Sequence, residues 1–201
     1  MIANPVDVVD MVVCRMRKVP CGNIPRQRLR DGAYATFDGA RCAGSCFDGA
    51  QLQYASFHGA DLRGARLRGV DARGAIFDDA DLTGADLSEA LLQGARFRRA
   101  RLWHTSFRQT LLLSAHLEGA QVHGASFVGA NLEWAWVADV DFRDACLSCA
   151  VLLNARGLSE DTRFIVEQRG GFTGIRAMIL GRELFETTLL TEPATECGRK
   201  G

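Results

Sequence analysis

The run Ala80-Asp-Leu-Thr-Gly-Ala-Asp-Leu-Ser-Glu-Ala90 decides how this chain is read, because its five-residue phrase recurs without insertion or deletion from Ala35 to Leu153. With the large apolar residue taken as the centre, centres fall at every fifth residue from 37 to 152, twenty-four in all. Twelve are Leu, among them Leu62, Leu82, Leu87, Leu92 and Leu132. Eight are Phe: Phe37, Phe47, Phe57, Phe77, Phe97, Phe107, Phe127 and Phe142. Cys42, Ala72, Val122 and Val137 complete the set. Two residues before the centre, Ala occupies nineteen positions, and Ser45, Val70, Thr105, Thr110 and Val140 occupy the rest. Two residues after it, Gly occupies twelve. Self-similarity at a fixed period is the signature of a repeat architecture.

A period of five excludes the two common elements. In an α-helix of 3.6 residues per turn it would carry the apolar position around the axis. In a continuous strand an odd step would flip it to the opposite face. The phrase fits an inward pair two residues apart, the small residue and the centre, followed by a turn where Gly suits backbone angles that a β-carbon disfavours. Each phrase therefore predicts one short side of a coil, and the coils stack into an all-β solenoid with a dry interior. Phe37, Phe57, Phe77 and Phe97 stand twenty residues apart, the spacing of one stacked column.

Ala60-Asp-Leu, Ala80-Asp-Leu, Ala85-Asp-Leu and Ala130-Asn-Leu carry a resemblance to the pentapeptide-repeat family. The resemblance implies a right-handed quadrilateral β-helix in which four phrases make one square turn, hence about six coils. At a strand-to-strand rise of about 4.8 Å this is a rod roughly 29 Å long. It also implies a function. Family members of the topoisomerase-binding sort are DNA mimics, similar to duplex DNA in width and surface charge. They inhibit DNA gyrase or protect it against drugs and toxins, which confers antibiotic resistance, and their C-terminal end makes a dimer. The expectation is a non-catalytic binding protein that acts through its surface on a protein partner, DNA gyrase or a related type II topoisomerase. The alternative is a structural scaffold or protein-interaction module with no topoisomerase role. Two features weigh against the first. Residues 33–156 hold fourteen acids against twelve arginines, a mixed wall, and the repeat lacks the loop insertions of the drug-protecting members.

Three parts are expected. Residues 1–32 are out of register with the repeat and are broken by Pro5, Pro20 and Pro25, which suits an N-terminal cap over the first coil. Residues 33–156 form the β-helix. Residues 157–201 form a helical C-terminal cap or dimerisation segment with a loose tail. There Ser159-Glu-Asp reads as an N-cap with acids in the first turn, Gly170-Gly171 as the stop, and Thr173 to about Leu190 as a second helix. The formal net charge is zero, which gives no general pull on nucleic acid, and direct nucleic-acid binding is not expected. No apolar run reaches a membrane span, no secretory signal opens the chain, and seven cysteines lack a small-domain framework, so a cytoplasmic location is expected.

No catalytic, metal or cofactor site is predicted. Cys146-Leu-Ser-Cys149 lacks the second pair or His that a zinc site needs. His58, His104, His116 and His123 fall in four different outward columns. Outward apolar residues are the exception to a polar wall: Leu91, Leu111, Leu113, Val151 and Leu153 flank one column of centres, with Trp134 and Trp136 at the adjacent corner. Such a patch predicts an interface. It can serve the chain's own C-terminal segment, a homodimer or a foreign protein.

Overall fold

The computed structural model describes residues 32–174. The N-terminal segment and the second C-terminal helix expected from sequence therefore lie outside the described residues, apart from Gly32 and Thr173-Gly174. Within them the chain winds as a square coil. Parallel bridges join residues twenty apart, as in Thr36 to Ser56, Ser56 to Ile76 and Ile76 to Arg96, so four phrases close one turn. The four faces are defined by their centres: Phe37 to Val137 on the first, Cys42 to Phe142 on the second, Phe47 to Leu147 on the third, and Leu52 to Leu152 on the fourth. All twenty-four centres are buried. Phe37, Phe57, Phe77 and Phe97 stack nearly parallel, with ring centroids 4.5, 5.1 and 4.9 Å apart.

The hydrogen bonds explain the phrase. The centre donates its N–H to the coil above (Phe37 to Ser56 O, 2.6 Å), as does the residue two further on (Gly39 to His58 O, 2.8 Å). The next small residue bonds back to the centre (Ala40 to Phe37 O, 3.0 Å). The residue before the centre bonds to the coil below (Ser56 to Ala35 O, 2.8 Å). The N–H just after the centre is left over. Where the phrase or the coil below offers an Asp or Asn, its side chain supplies the acceptor in one of two ways. An Asp or Asn before the centre accepts it within the same phrase, as Asp81 Oδ1 does from Thr83 at 3.0 Å and Asn131 Oδ1 from Glu133 at 2.9 Å. Otherwise an Asp after the centre accepts it from the coil above, as Asp78 Oδ1 does from Arg98 at 3.0 Å. The recurrent Ala-(Asp/Asn)-Leu is thus a backbone-satisfying device, since an orphaned amide costs as much as a lost hydrogen bond. The two buried Thr hydroxyls at small-residue positions are also satisfied: Thr105 donates to Leu82 O at 2.8 Å and Thr110 to Leu87 O at 2.9 Å.

The corner two residues after the centre is left-handed whatever residue holds it. Tyr54, Arg99, His104 and Trp134 have φ of 58°, 55°, 55° and 60° there. Glycine is needed for a second reason at Gly74, where an added β-carbon would lie 2.6 Å from the Tyr54 ring, whereas at Gly94 it would meet nothing. Both glycines have φ of +66°. Gly94→Ala is therefore expected to cost about 1 kcal/mol of strain alone, and Gly74→Ala more, because it displaces the ring. Denaturant unfolding of both variants, and of Gly74→Ala combined with Tyr54→Ala, separates the two costs. The double variant should fall back to the strain-only value plus whatever Tyr54 itself contributes.

One corner departs from the pattern. Adding twenty to Gln121 predicts a bridge to Asp141, but the described residues contain none, and Asp144 is absent from the left-handed corners. Face two of the last coil stands off from the coil beneath, and Asp144 Oδ2 instead lies 2.9 Å from His123 Nδ1.

Above the last coil runs α1, Glu160–Gln168. Ser159 Oγ accepts the Thr162 N–H at 3.1 Å, and Glu160 and Asp161 in the first turn complement the helix dipole. Val166 is its one buried residue and closes the top of the core. Gly157, which links coil to helix, passes so close to Ala138 that a β-carbon would sit 2.7 Å from its nitrogen. Gly170 at φ 81° turns the chain so that Phe172 bridges Val151 on face four. No helix of the described residues is long and apolar enough to cross a membrane.

Candidate functional site

The interior is filled mainly by Leu, Phe and Ala, with Cys42, Ser45, Thr105 and Thr110 also buried there, and the charged side chains of the coils are carried on the outer wall. On face one the charges interlock from coil to coil. Arg96 pairs with Asp78, and Asp78 is 4% exposed. Arg98 reaches Glu118 at 3.3 Å, and His116 lies 3.1 Å from the same carboxylate. The His116 ring then stacks on Trp136 at 5.7 Å, and the Arg156 guanidinium covers the other side of that indole at 4.7 Å. Trp136 is thus held between two wall residues. At the next corner Arg99 grips Asp79 through two bonds of 2.8 and 2.7 Å, and His58 lies 3.7 Å from Asp79.

Faces two and three are paired in the same manner. Arg63 and Asp61 form a two-bond pair, Arg101 reaches Asp81 at 3.0 Å and covers the Trp103 ring at 5.1 Å, and Arg143 is bonded to Asp141. Arg66 pairs with Asp48, and Arg68 with Glu89 at 2.6 Å. These bonds pull several carboxyls below the usual carboxylate range. Arg63 does so for Asp61, Arg73 for Asp71, Arg99 for Asp79 and Arg143 for Asp141. At Asp81 and Glu118 burial pushes upward, but the bonds from Thr83 and Arg101, and from His116 with the charge of Arg98, outweigh it.

A carboxyl with a folded pKa below its unfolded value near 4 stabilises the protein above that value and stops doing so as pH falls through the folded pKa. The melting temperature is therefore expected to be flat from about pH 7 to 5 and to drop below about pH 4. Asp71→Asn and Asp79→Asn should flatten the acid limb. Thermal melts across this range check it.

The histidines do not assemble into a catalytic set. His104 and His123, nineteen residues apart, do meet, with ring centroids at 5.7 Å across the corner, a contact that adding twenty does not reveal. Among the described residues, no group of three His, Cys, Asp or Glu is placed to hold a metal ion. Cys149 occupies a left-handed corner, and burial pushes its thiol pKa up. The concavities are open clefts. One lies between the stand-off segment and α1 and is lined by Asp139, Asp141, Ser159 and Asp161, and another lies beside Arg68, Glu89 and Arg108.

Face four differs from the rest. Its lower half is polar, with Arg73 bonded to Asp71 at 2.8 and 2.7 Å. Its upper half carries Leu91, Leu111, Asn131 and Val151 in one bridged column, and Leu113, Glu133 and Leu153 in the next. Leu111 is 37% exposed and Trp134, at its corner, 49%. Trp136 sits on face one, so the outward apolar residues divide into a Leu and Trp134 surface and a separate His-Trp-Arg stack.

The family model for pentapeptide repeats matches in eight copies across residues 34–69, 55–94, 90–127 and 125–156. The chain belongs to the pentapeptide-repeat family. Its coil is the right-handed quadrilateral β-helix of that family. Among solved structures, this pentapeptide-repeat protein is similar to trypsin-treated QnrB1, a plasmid-mediated fluoroquinolone resistance protein, at 24% identity and a TM-score of 0.49. That alignment covers 75% of this chain and 83% of the other. A pentapeptide-repeat protein from the Arabidopsis thaliana thylakoid lumen is 30% identical over 73% of this chain and 83% of that one, at a TM-score of 0.40. HetL, involved in heterocyst differentiation regulation in the cyanobacterium Nostoc, is 22% identical over 63% and 76%, at 0.30. No curated protein matches the sequence.

Proposed function

We propose that this pentapeptide-repeat protein is a non-catalytic binding protein that acts through its wall on a protein partner, DNA gyrase or a related type II topoisomerase, in the cytoplasm. The observation that carries the reading is the distribution of chemistry. The interior is dry, and most acids of the wall are tied to an arginine or histidine in pairs that position charge. Enzymes need convergent groups in a concave site, whereas a straight wall with fixed charges at coil spacing suits recognition of another macromolecule. Family membership supplies the choice of partner. A rod roughly 29 Å long spans the length of eight or nine base pairs at about 3.4 Å each, which supports competition for a duplex-binding groove.

Supercoiling and cleavage assays with the purified full chain test this. Micromolar protein is expected to lower supercoiling or to relieve cleavage-complex formation by a quinolone. Absence of both effects removes the topoisomerase from the reading. The balance of acids and arginines favours a second reading, a scaffold that binds a different protein, and that outcome would leave it standing.

A further inference from the structure

On the upper half of face four, Glu133 lies between two apolar steps. Leu111 and Leu113 are one coil below it, Val151 and Leu153 one coil above, and Trp134 beside it. Its N–H is bonded to Asn131, but its half-buried carboxylate has no ion-pair or hydrogen-bond partner among the described residues. Most acids of the wall are paired with an arginine or histidine. A carboxylate without a counter-charge, set along the rod between the two apolar steps and beside Trp134, is complementary to a cation brought in with apolar flanks.

We propose that this face is the docking site for an amphipathic α-helix of a protein partner, one carrying an Arg or Lys between two apolar residues a heptad apart. Complementary charge at Glu133 selects the basic residue. The spacing selects the helix. The two apolar steps are two coils apart, about 9.6 Å, which matches the about 10.5 Å between residues i and i+7 of a helix lying along the rod. An extended strand along the same line places same-side residues about 6.8 or 13.6 Å apart and misses both steps. The backbone here is already paired (Ser114 to Glu133 O, 2.9 Å; Trp134 to Leu153 O, 3.0 Å), so face four offers side chains and no open strand edge. The inference rests on the reading of the wall as a protein-binding surface and names the chemistry of what it receives.

The probe is a synthetic amphipathic helix with Leu at i and i+7 and Arg at i+4, labelled for fluorescence anisotropy and titrated against the full chain. Binding is expected to weaken about tenfold when the peptide carries Glu at i+4. Glu133→Arg should reverse that preference, and Leu111→Ser should weaken both peptides. All variants sit on the wall, and unchanged melting temperatures verify their folding. Equal affinity for the two peptides overturns the proposal, as does no saturable binding up to about 0.5 mM. The second result would mean that residues 175–201 or nothing at all occupies the face. Light scattering that shows a dimer dissociated by Leu111→Ser overturns it in favour of a second copy. The supercoiling assay keeps the two readings separate. Wild-type activity retained by Glu133→Arg and Leu111→Ser sinks the docking site alone, whereas charge-selective peptide binding without any gyrase effect sinks the topoisomerase alone.

Discussion

Phe77→Ala is expected to lower the unfolding free energy by about 3–5 kcal/mol. The side chain is fully buried, and its ring lies between Phe57 at 5.1 Å and Phe97 at 4.9 Å, so truncation empties a space inside the rod and breaks two stacked contacts together. Each such contact contributes about 0.5–1.5 kcal/mol beyond the area it buries. Because each coil touches only its neighbours, the damage also falls on the coupling between coils. Urea unfolding should show both an earlier midpoint and a broader transition. Phe142→Ala gives the comparison. Its ring makes only an edge contact with Phe127 at 6.0 Å, so its loss should be smaller and should stay local to the last coil. Equal losses at the two positions would mean that stacking along the column contributes little.

Ala85→Leu should be the next most damaging change, at about 1–3 kcal/mol or more. Ala85 points inward beside Leu87, and the residues below and above it in its column are Ala65 and Thr105, all buried. None of the twenty-four positions of this kind holds anything larger than Val. A Leu there has to displace a centre, and close-packed interiors do not yield to an added isobutyl group without strain. Ala85→Val should cost less, as Val70 and Val140 already show the fit. Arg108→Leu, on the exposed wall, should stay within about 0.5 kcal/mol of wild type. Thermal and denaturant unfolding of the three variants set the order.

Much of the architecture was legible because the phrase is local and never slips. The five-residue step implied the buried centres, the Phe at twenty-residue intervals marked the first face, and Ser159 with Glu160 and Asp161 marked the start of α1. Less legible were contacts set by side-chain reach. The twenty-residue step carries the Gln121 column on to Asp141, yet the described residues hold no bridge between the two, and Asp144 lies against His123 instead. His58 stands in line with Asp38, whose Oδ1 accepts its N–H at 3.1 Å, yet its imidazole leans toward Asp79 at the corner. Trp136 counted as an outward apolar residue in sequence, but only coordinates reveal His116 and Arg156 on its two sides. The solitary charge of Glu133 was hidden for the same reason: a sequence shows which acids exist, and pairing depends on which arginines reach them.

The twenty-residue closure has a consequence for how such a chain can change. A duplication of twenty residues lengthens the shaft while every column stays in line, so old neighbours are kept and a new storey is added. A duplication of five, placed after Gly84, leaves the interior almost undisturbed because every side uses the same phrase. It rotates everything downstream by a quarter turn, so that Leu91 would rest on Ile76 in place of Asp71. Small copying errors in the gene can therefore reshuffle the whole exterior at little cost to folding, which makes this scaffold unusually free to try new partners.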